Sequence, residues 1–304
     1  MSTLRSNLFL TLAAVIWGLA FVAQRVGMDY VGPFTFNGVR FALGALSLLP
    51  LLFYFKNDPQ PKAAPLGRST VLWAGLVAGL LLFSGASLQQ VGLIYTTAGK
   101  AAFITCLYII LVPIAGLWLK QRVDTATWLG ALLALSGLYL LCVKEGFSIA
   151  FGDLLQLIGA VFWTGHILWI DHFSKKVNVF KLCFVQFITC SALSLTTAAL
   201  CETITLSSLQ QAIVPILYGG FFSVGIAYTL QVVGQRHASP AHAALILSLE
   251  TVFAALGGYL LLDEKLGRYE LLGCALMLAG MLLSQLKTIL ASRKQDSDLL
   301  GQEV

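Results

Sequence analysis

Apolar runs long enough to cross a bilayer follow one another along almost the whole chain, and no other feature restricts its fold as strongly. A helix needs about 20 mostly apolar residues to span a hydrocarbon core roughly 30 Å thick. Ten such runs can be read: Asn7 to Gly27, Pro33 to Phe55, Val71 to Ile94, Lys100 to Leu119, Thr125 to Val143, Phe151 to Ile170, Phe180 to Cys201, Gln210 to Gln231, Ala241 to Leu262 and Tyr269 to Leu286. A transmembrane β-barrel would show weak segments of about 10 alternating residues, whereas these runs are continuous and rich in Leu, Ala and Gly. Charged residues make up only 11% of the 304, against about 25% in a soluble domain that has to cover its surface. The expectation is an all-α membrane protein of ten transmembrane helices, with the lipid bilayer as its first partner. The first run, preceded only by Arg5, is longer than a signal-peptide core and lacks a small-x-small cleavage site, so it is retained as a helix.

Positive residues stay on the cytoplasmic side of a membrane protein, so the loops orient the chain. With the N-terminus inside, the inner segments hold 13 Lys and Arg and the outer segments 4, namely Lys100, Lys144, Lys265 and Arg268. Adding or removing one early helix would reverse that bias. It therefore predicts a multi-pass protein of the cytoplasmic membrane with both termini in the cytoplasm. The sequence pI of 8.9 then follows from topology, and no nucleic-acid partner is needed.

The two halves of the chain resemble each other. Ala14-Val15-Ile16-Trp17 matches Ala160-Val161-Phe162-Trp163 at an offset of 146, and Val39-Arg40-Phe41 meets Val185-Gln186-Phe187 at the same offset. Further on, Leu88-Gln89-x-Val91-Gly92 matches Leu230-Gln231-x-Val233-Gly234 at 142, and Gly130 and Gly137 match Gly273 and Gly280 at 143. The order of the matches divides the chain into five-helix units at residues 1–143 and 144–288, with a cytoplasmic tail at 289–304. An odd number of helices per unit sets the second copy upside down. Inverted repeats are a transporter architecture, with binding near the midplane where the repeats meet.

Four stretches carry a family resemblance: Trp17-Gly18, Asn37-Gly38-Val39-Arg40-Phe41, Gly152-Asp153-Leu154-Leu155, and Ser248-Leu249-Glu250-Thr251-Val252-Phe253-Ala254-Ala255-Leu256. The last continues through Leu262-Asp263-Glu264-Lys265-Leu266 to Gly273 and Gly280. Together they resemble the EamA family of the drug/metabolite transporter superfamily over nearly the whole chain. The resemblance implies ten helices, a central cavity between the halves and passage of small metabolites without ATP. Thr251 stands where many relatives carry the proline that would kink the ninth helix. Lys120-Gln121-Arg122 replaces a common glutamate of the first repeat.

Polar residues inside the apolar phase are the candidate site. Glu250 lies near the middle of the ninth run, where a charge costs at least a few kcal/mol, so it should face the bundle interior. It reads either as a carboxylate for proton coupling or substrate ammonium, or as a structural acid held by neighbouring helices. At the 142 offset its counterpart is Tyr108. Arg40 either holds a substrate carboxylate through its planar fork or clamps a neighbouring helix. Trp17 and Trp163, equivalent and away from the interfaces, are expected to line the cavity. His166 shares the face of Trp163 and reads first as a core histidine. Gln89 and Gln231 either line the pathway or bind nearby backbone. His242 and Lys100 read as helix-end residues reaching for the interface.

Six cysteines lie singly, with no CxxC pair and no Cys/His cluster, so neither disulfide, metal nor other cofactor is expected. No HExxH, GxSG or GxGD motif supports an intramembrane enzyme, and no GxxxxGK[ST] loop supports an ATP-driven pump or an ATPase subunit. The reading is a secondary carrier, an exporter of amino acids or drug-like amphipathic compounds working by alternating access. An intramembrane enzyme and a channel or receptor are the alternatives, and a homodimer is left open.

Overall fold

The computed structural model describes residues 3–54, 67–96, 98–120, 123–142, 151–262, 267–269, 271–280 and 282–283. Eight helical stretches in it are long and apolar enough to cross a membrane. They are built from α1 (Thr3–Gly27), α2 (Pro33–Tyr54), α3 (Arg68–Gly92), the pair α4 (Ala98–Thr105) and α5 (Tyr108–Trp118), α7 (Phe151–Ser174), α8 (Val179–Cys201), the composite of α10 (Ile213–Leu217), a π-helix (Tyr218–Tyr228) and α11 (Thr229–Gln235), and the pair α12 (Pro240–Leu247) and α13 (Glu250–Leu261). Two shorter apolar stretches accompany them, Thr125–Gly137 within α6 (Thr125–Cys142) and Leu271–Gly280, here α14. A short helix α9 (Leu206–Gln211) connects α8 to α10. No strand occurs among the described residues. The Asp263–Leu266 loop, Gln121 and Arg122, the side chain of Lys100 and the tail 289–304 lie outside them.

Polar side chains lie inside the bundle, within an otherwise apolar core, and large apolar side chains cover its outside. Asn37, Gln90, Gln156, His166, Gln186 and Thr251 are buried, while Phe53, Trp73, Trp118, Leu200 and Leu260 are exposed. In water such a surface would aggregate; in hydrocarbon it is the expected lining, with hydrogen-bonding side chains turned toward other helices. Arg25, inside the first apolar run, sits at the far end of α1 and pairs with Asp29 at 2.9 Å. The partner neutralises the cation.

Small residues decide how closely the helices approach. A Cβ at Gly18 would strike Phe253 and the backbone of α13, and one at Gly152 would lie 2.8 Å from the Gly92 carbonyl at the end of α3. Both glycines belong to the stretches that carry the family resemblance. Asn37, from a third stretch, donates to the Ala86 carbonyl of α3 at 3.1 Å and accepts from Arg40 at 3.0 Å. Glu202, just past α8, accepts from the Phe34 and Thr35 amides at 2.8 and 2.7 Å and so caps α2 from 167 or more residues away. The first amides of a helix lack intrahelical partners, and a carboxylate there also suits the helix dipole.

Contacts between helices mirror the sequence offsets. The helices α2 and α8, which carry Arg40 and its counterpart Gln186, pack on each other; α3 packs on α7 as the π-helical composite packs on α1. A Cβ at Gly137 would meet the Gly273 carbonyl, and one at Gly280 would meet the Gly130 carbonyl. These are reciprocal contacts between two residue pairs that the 143 offset equates.

The fourth and ninth helices are interrupted at equivalent points. Leu107 N bonds Ile104 O and Leu249 N bonds Ile246 O, both at 3.1 Å, while Ile109 N and Thr251 N reach back three residues to Cys106 O and Ser248 O. Each pair of bonds is a 3₁₀ step of the tighter i→i+3 type. α12 and α13 are therefore separated although Thr251, and not a proline, follows Glu250. Ser248 Oγ instead donates to Leu245 O at 2.8 Å, a side-chain bond to the preceding turn of the kind that bends helices.

Candidate functional site

The two interruptions meet at the centre of the bundle. Tyr108 and Glu250 are the first residues of α5 and α13, and the Tyr108 hydroxyl donates to Glu250 Oε1 at 2.9 Å. The Cys106 sulfur lies 3.5 Å from the same oxygen and accepts from Thr251 Oγ1 at 2.8 Å. Residues equated by the 142 offset are thus in direct contact.

Around this contact lies a cavity. Its wall contains Trp17, Arg40, Gln89, Tyr108, Trp163, Gln231 and Glu250, seven of the eight residues singled out from the sequence. Repeat-related pairs make up most of it. Trp17 with Trp163 and Phe21 with Ile167 stand at the 146 offset, while Gln89 with Gln231, Thr105 with Leu247 and Tyr108 with Glu250 stand at 142. Only Gln24, Arg40, Ser223 and Tyr228 line it without their counterparts.

His166 is the exception among the candidates. It does not line the cavity; its Nε2 pairs with Gln186 Oε1 at 2.9 Å behind the wall, which makes it a buried core histidine. His242 is buried against Asn7 at 3.1 Å instead of reaching for an interface. Burial this complete is tolerated because the Asn7 amide oxygen supplies a partner for the ring nitrogen.

Arg40 is 2% exposed and, among the described residues, has no carboxylate within ion-pair distance. Its Nε bonds Asn37 on its own helix, and its guanidinium carbon lies 4.9 Å from the Phe41 ring centre and 5.6 Å from that of Phe36. Aromatic faces attract a guanidinium, so the cation is cradled without being cancelled. It does not clamp a neighbouring helix through an acid. The wall therefore offers a cation at Arg40 and a carboxyl at Glu250 whose second oxygen, Oε2, accepts no hydrogen bond among the described residues.

Tyr228 is the residue that sequence reasoning missed. Its ring is 4.6 Å from Trp17, 6.4 Å and nearly parallel to Trp163, and 6.1 Å from His166. The last residue of the π-helix, it stands three residues before Gln231 on the same side of the helix. That spacing was a usable signal. Its counterpart at the 142 offset is Ala86, so a search for polar or aromatic pairs passes over it. Gln24 escapes for the same reason, being matched by Ile170. It accepts from Gln89 Nε2 at 3.1 Å, and Gln156 extends the network by donating to Gln89 O at 2.9 Å while accepting from Thr105 at 3.2 Å.

The model of the EamA-like transporter family matches this chain twice, over residues 4–143 and 150–286. The chain belongs to that family. It is a multi-pass membrane protein and a transporter, as family and relatives agree. An uncharacterized transporter of Archaeoglobus fulgidus is 35% identical over 288 residues, covering 93% of this chain and 87% of the relative. The uncharacterized transporter YoaV of Bacillus subtilis is 24% identical over 89% of this chain and 93% of its own length. The uncharacterized inner membrane transporter YedA of Escherichia coli is 23% identical over 88% and 87%. A crystal structure at 20% identity superposes with a TM-score of 0.75 over 92% of this chain and 97% of the other, which shows a shared fold.

Proposed function

We propose that this EamA-family transporter is a secondary carrier that exports small amphipathic metabolites, amino acids or drug-like cations among them, by alternating access of the central cavity. It is read as ten membrane helices in two inverted five-helix halves, residues 1–143 and 144–288, in the cytoplasmic membrane with both termini inside. The observation that carries the reading is the composition of the cavity wall: five pairs of residues related by the internal repeat face one space. A site shared by two inverted halves can be offered to either side of the membrane when the halves exchange conformations, which is the logic of alternating access in inverted-repeat carriers. Interrupted helices at that site supply backbone and side-chain groups where unbroken helices would have none to offer.

The wall also suggests the cargo. Trp17, Trp163 and Tyr228 form an aromatic enclosure, Glu250 offers an acceptor for an ammonium, and Arg40 offers a cation for a carboxylate. Glu250 is additionally assigned the coupling proton, because it is the acid of the wall and is bonded by the hydroxyl of its own repeat counterpart. The test is reconstitution of purified protein in liposomes with a panel of radiolabelled amino acids and amphipathic cations. Saturable counterflow of at least one compound above empty liposomes is expected. Flux equal to empty liposomes across the panel, or ohmic single-channel currents, would refute the carrier.

A further inference from the structure

We propose that Trp163 and Gln231 are the hydrogen-bonding anchor for substrate in this state of the carrier, and that they hold a group presenting an acceptor beside a donor. The inference rests on the carrier reading above.

Each half contributes a tryptophan and a glutamine to the cavity at equivalent positions, and the first half adds Gln24. In the first half both are engaged by the protein itself: Trp17 Nε1 donates to Ser223 O and Gln89 Nε2 donates to Gln24 Oε1, each at 3.1 Å. In the second half neither is. The indole Nε1 of Trp163 and the amide Oε1 of Gln231 are fully buried and, among the described residues, have no hydrogen-bond partner, although the side chains are only 9% and 2% exposed. Native interiors seldom leave a buried donor or acceptor unmatched. Of the buried unmatched side-chain atoms among the described residues, these two are the ones that belong to residues lining the cavity.

The contrast has a local cause. Gln24 occupies the position whose counterpart is Ile170, so the first-half glutamine has an amide to bond and the second-half glutamine does not. Ser223 offers a carbonyl to Trp17, whereas Trp163 lies over Gly85, close enough that a Cβ there would touch the indole at 3.1 Å, with no acceptor for its nitrogen. What completes the pair must bring an acceptor for the Trp163 N–H and an N–H or O–H for the Gln231 oxygen. A carboxamide carries both on one carbon, and an α-ammonium carboxylate carries both on adjacent ones. A simple alkylamine carries only the donor.

Phenylalaninamide and phenethylamine separate these cases, since both have an ammonium and a ring and only the first has the carboxamide. Binding to the full-length protein in detergent is measured by isothermal titration calorimetry. The parent is expected to bind phenylalaninamide about tenfold tighter than phenethylamine, a ratio typical of one satisfied polar anchor. Gln231→Leu and Trp163→Phe should each bring the two affinities within about twofold, whereas Ser191→Ala, which lies outside the cavity wall, should keep the preference. Unliganded melting supplies the folding control: Gln231→Leu removes an unmatched acceptor and should melt no lower than the parent, while Ser191→Ala breaks the bond to Gly38 O and should melt lower. Equal affinity of the parent for both probes, binding of neither, or equal loss of preference in Ser191→Ala overturns the anchor and leaves the carrier standing if panel flux is observed. Gln231→Leu melting below the parent overturns it too. Absence of any panel flux removes the carrier reading and this inference with it.

Discussion

Gly18→Ala is predicted to push α1 away from α13 and loosen the cavity between Trp17 and Glu250. A Cβ at position 18 would lie 2.7 Å from the Glu250 carbonyl oxygen and 2.8 Å from the Ala254 amide nitrogen, besides striking Phe253. Two of these three atoms are backbone and cannot rotate aside, so the helices themselves must separate. Overpacking of this kind costs about 1–3 kcal/mol. The better helix propensity of alanine returns about 1 kcal/mol, which leaves a net loss of up to about 2 kcal/mol. Gly165→Ala on α7 is the control, because its Cβ would come no nearer than 3.5 Å, to a methyl of Leu81. That is ordinary contact, and the propensity gain should survive. Both variants are melted in one detergent by scanning fluorimetry. Gly18→Ala should fall below the parent by roughly 2–4 °C per kcal/mol, with reduced counterflow, and Gly165→Ala should melt at or above it. Parent-like melting and flux for Gly18→Ala would refute the argument that backbone approach at this glycine shapes the cavity.

The other predictions concern the wall and the seams. Glu250→Gln should abolish accumulation driven by a pH gradient while sparing exchange, and unchanged accumulation in proteoliposomes would remove Glu250 as the coupling site. Glu202→Ala strips the cap from α2, where the carboxylate meets two amides and the Thr35 hydroxyl; a loss of about 0.5–2 kcal/mol is expected, read as a lower melting temperature with the substrate Kd little changed. Gly137→Val and Gly280→Val should destabilise by similar amounts, about 1–3 kcal/mol each, since the first intrudes on the Gly273 carbonyl and the second on the Gly130 carbonyl. A large effect from one and none from the other would contradict the reciprocal packing.

Part of the site was legible because polarity is costly in hydrocarbon. Trp17, Arg40, Gln89, Tyr108, Trp163, Gln231 and Glu250 stood out as polar or bulky residues inside apolar runs, and a lipid-facing position for most of them would be prohibitive, so they converge on the interior space they line. The same reasoning identified His166 as a core residue but not its partner Gln186, which comes from a different helix. Tyr228 and Gln24 were hidden because the first and second halves differ there, and a symmetric search sees only what both halves keep. His242 was read as a helix-end residue because periodicity shows which face a residue shares and not which neighbour waits there, in this case Asn7.

Composition and run length alone point to a helical membrane protein, the loop charges are unevenly divided, and matched residues recur at a fixed offset in the two halves. Those follow from composition, run length and offset, which are local or additive quantities. The tertiary arrangement alone shows that α4 and α5, and α12 and α13, are separated at equivalent points, that Tyr108 bonds its own counterpart Glu250, and that the glutamine and tryptophan of one half are matched by the protein while those of the other are not. The physical reason is that hydrogen-bond satisfaction is a property of pairs brought together by packing, and residues 65 to 206 positions apart in sequence leave no trace of their spatial distance in the string of letters.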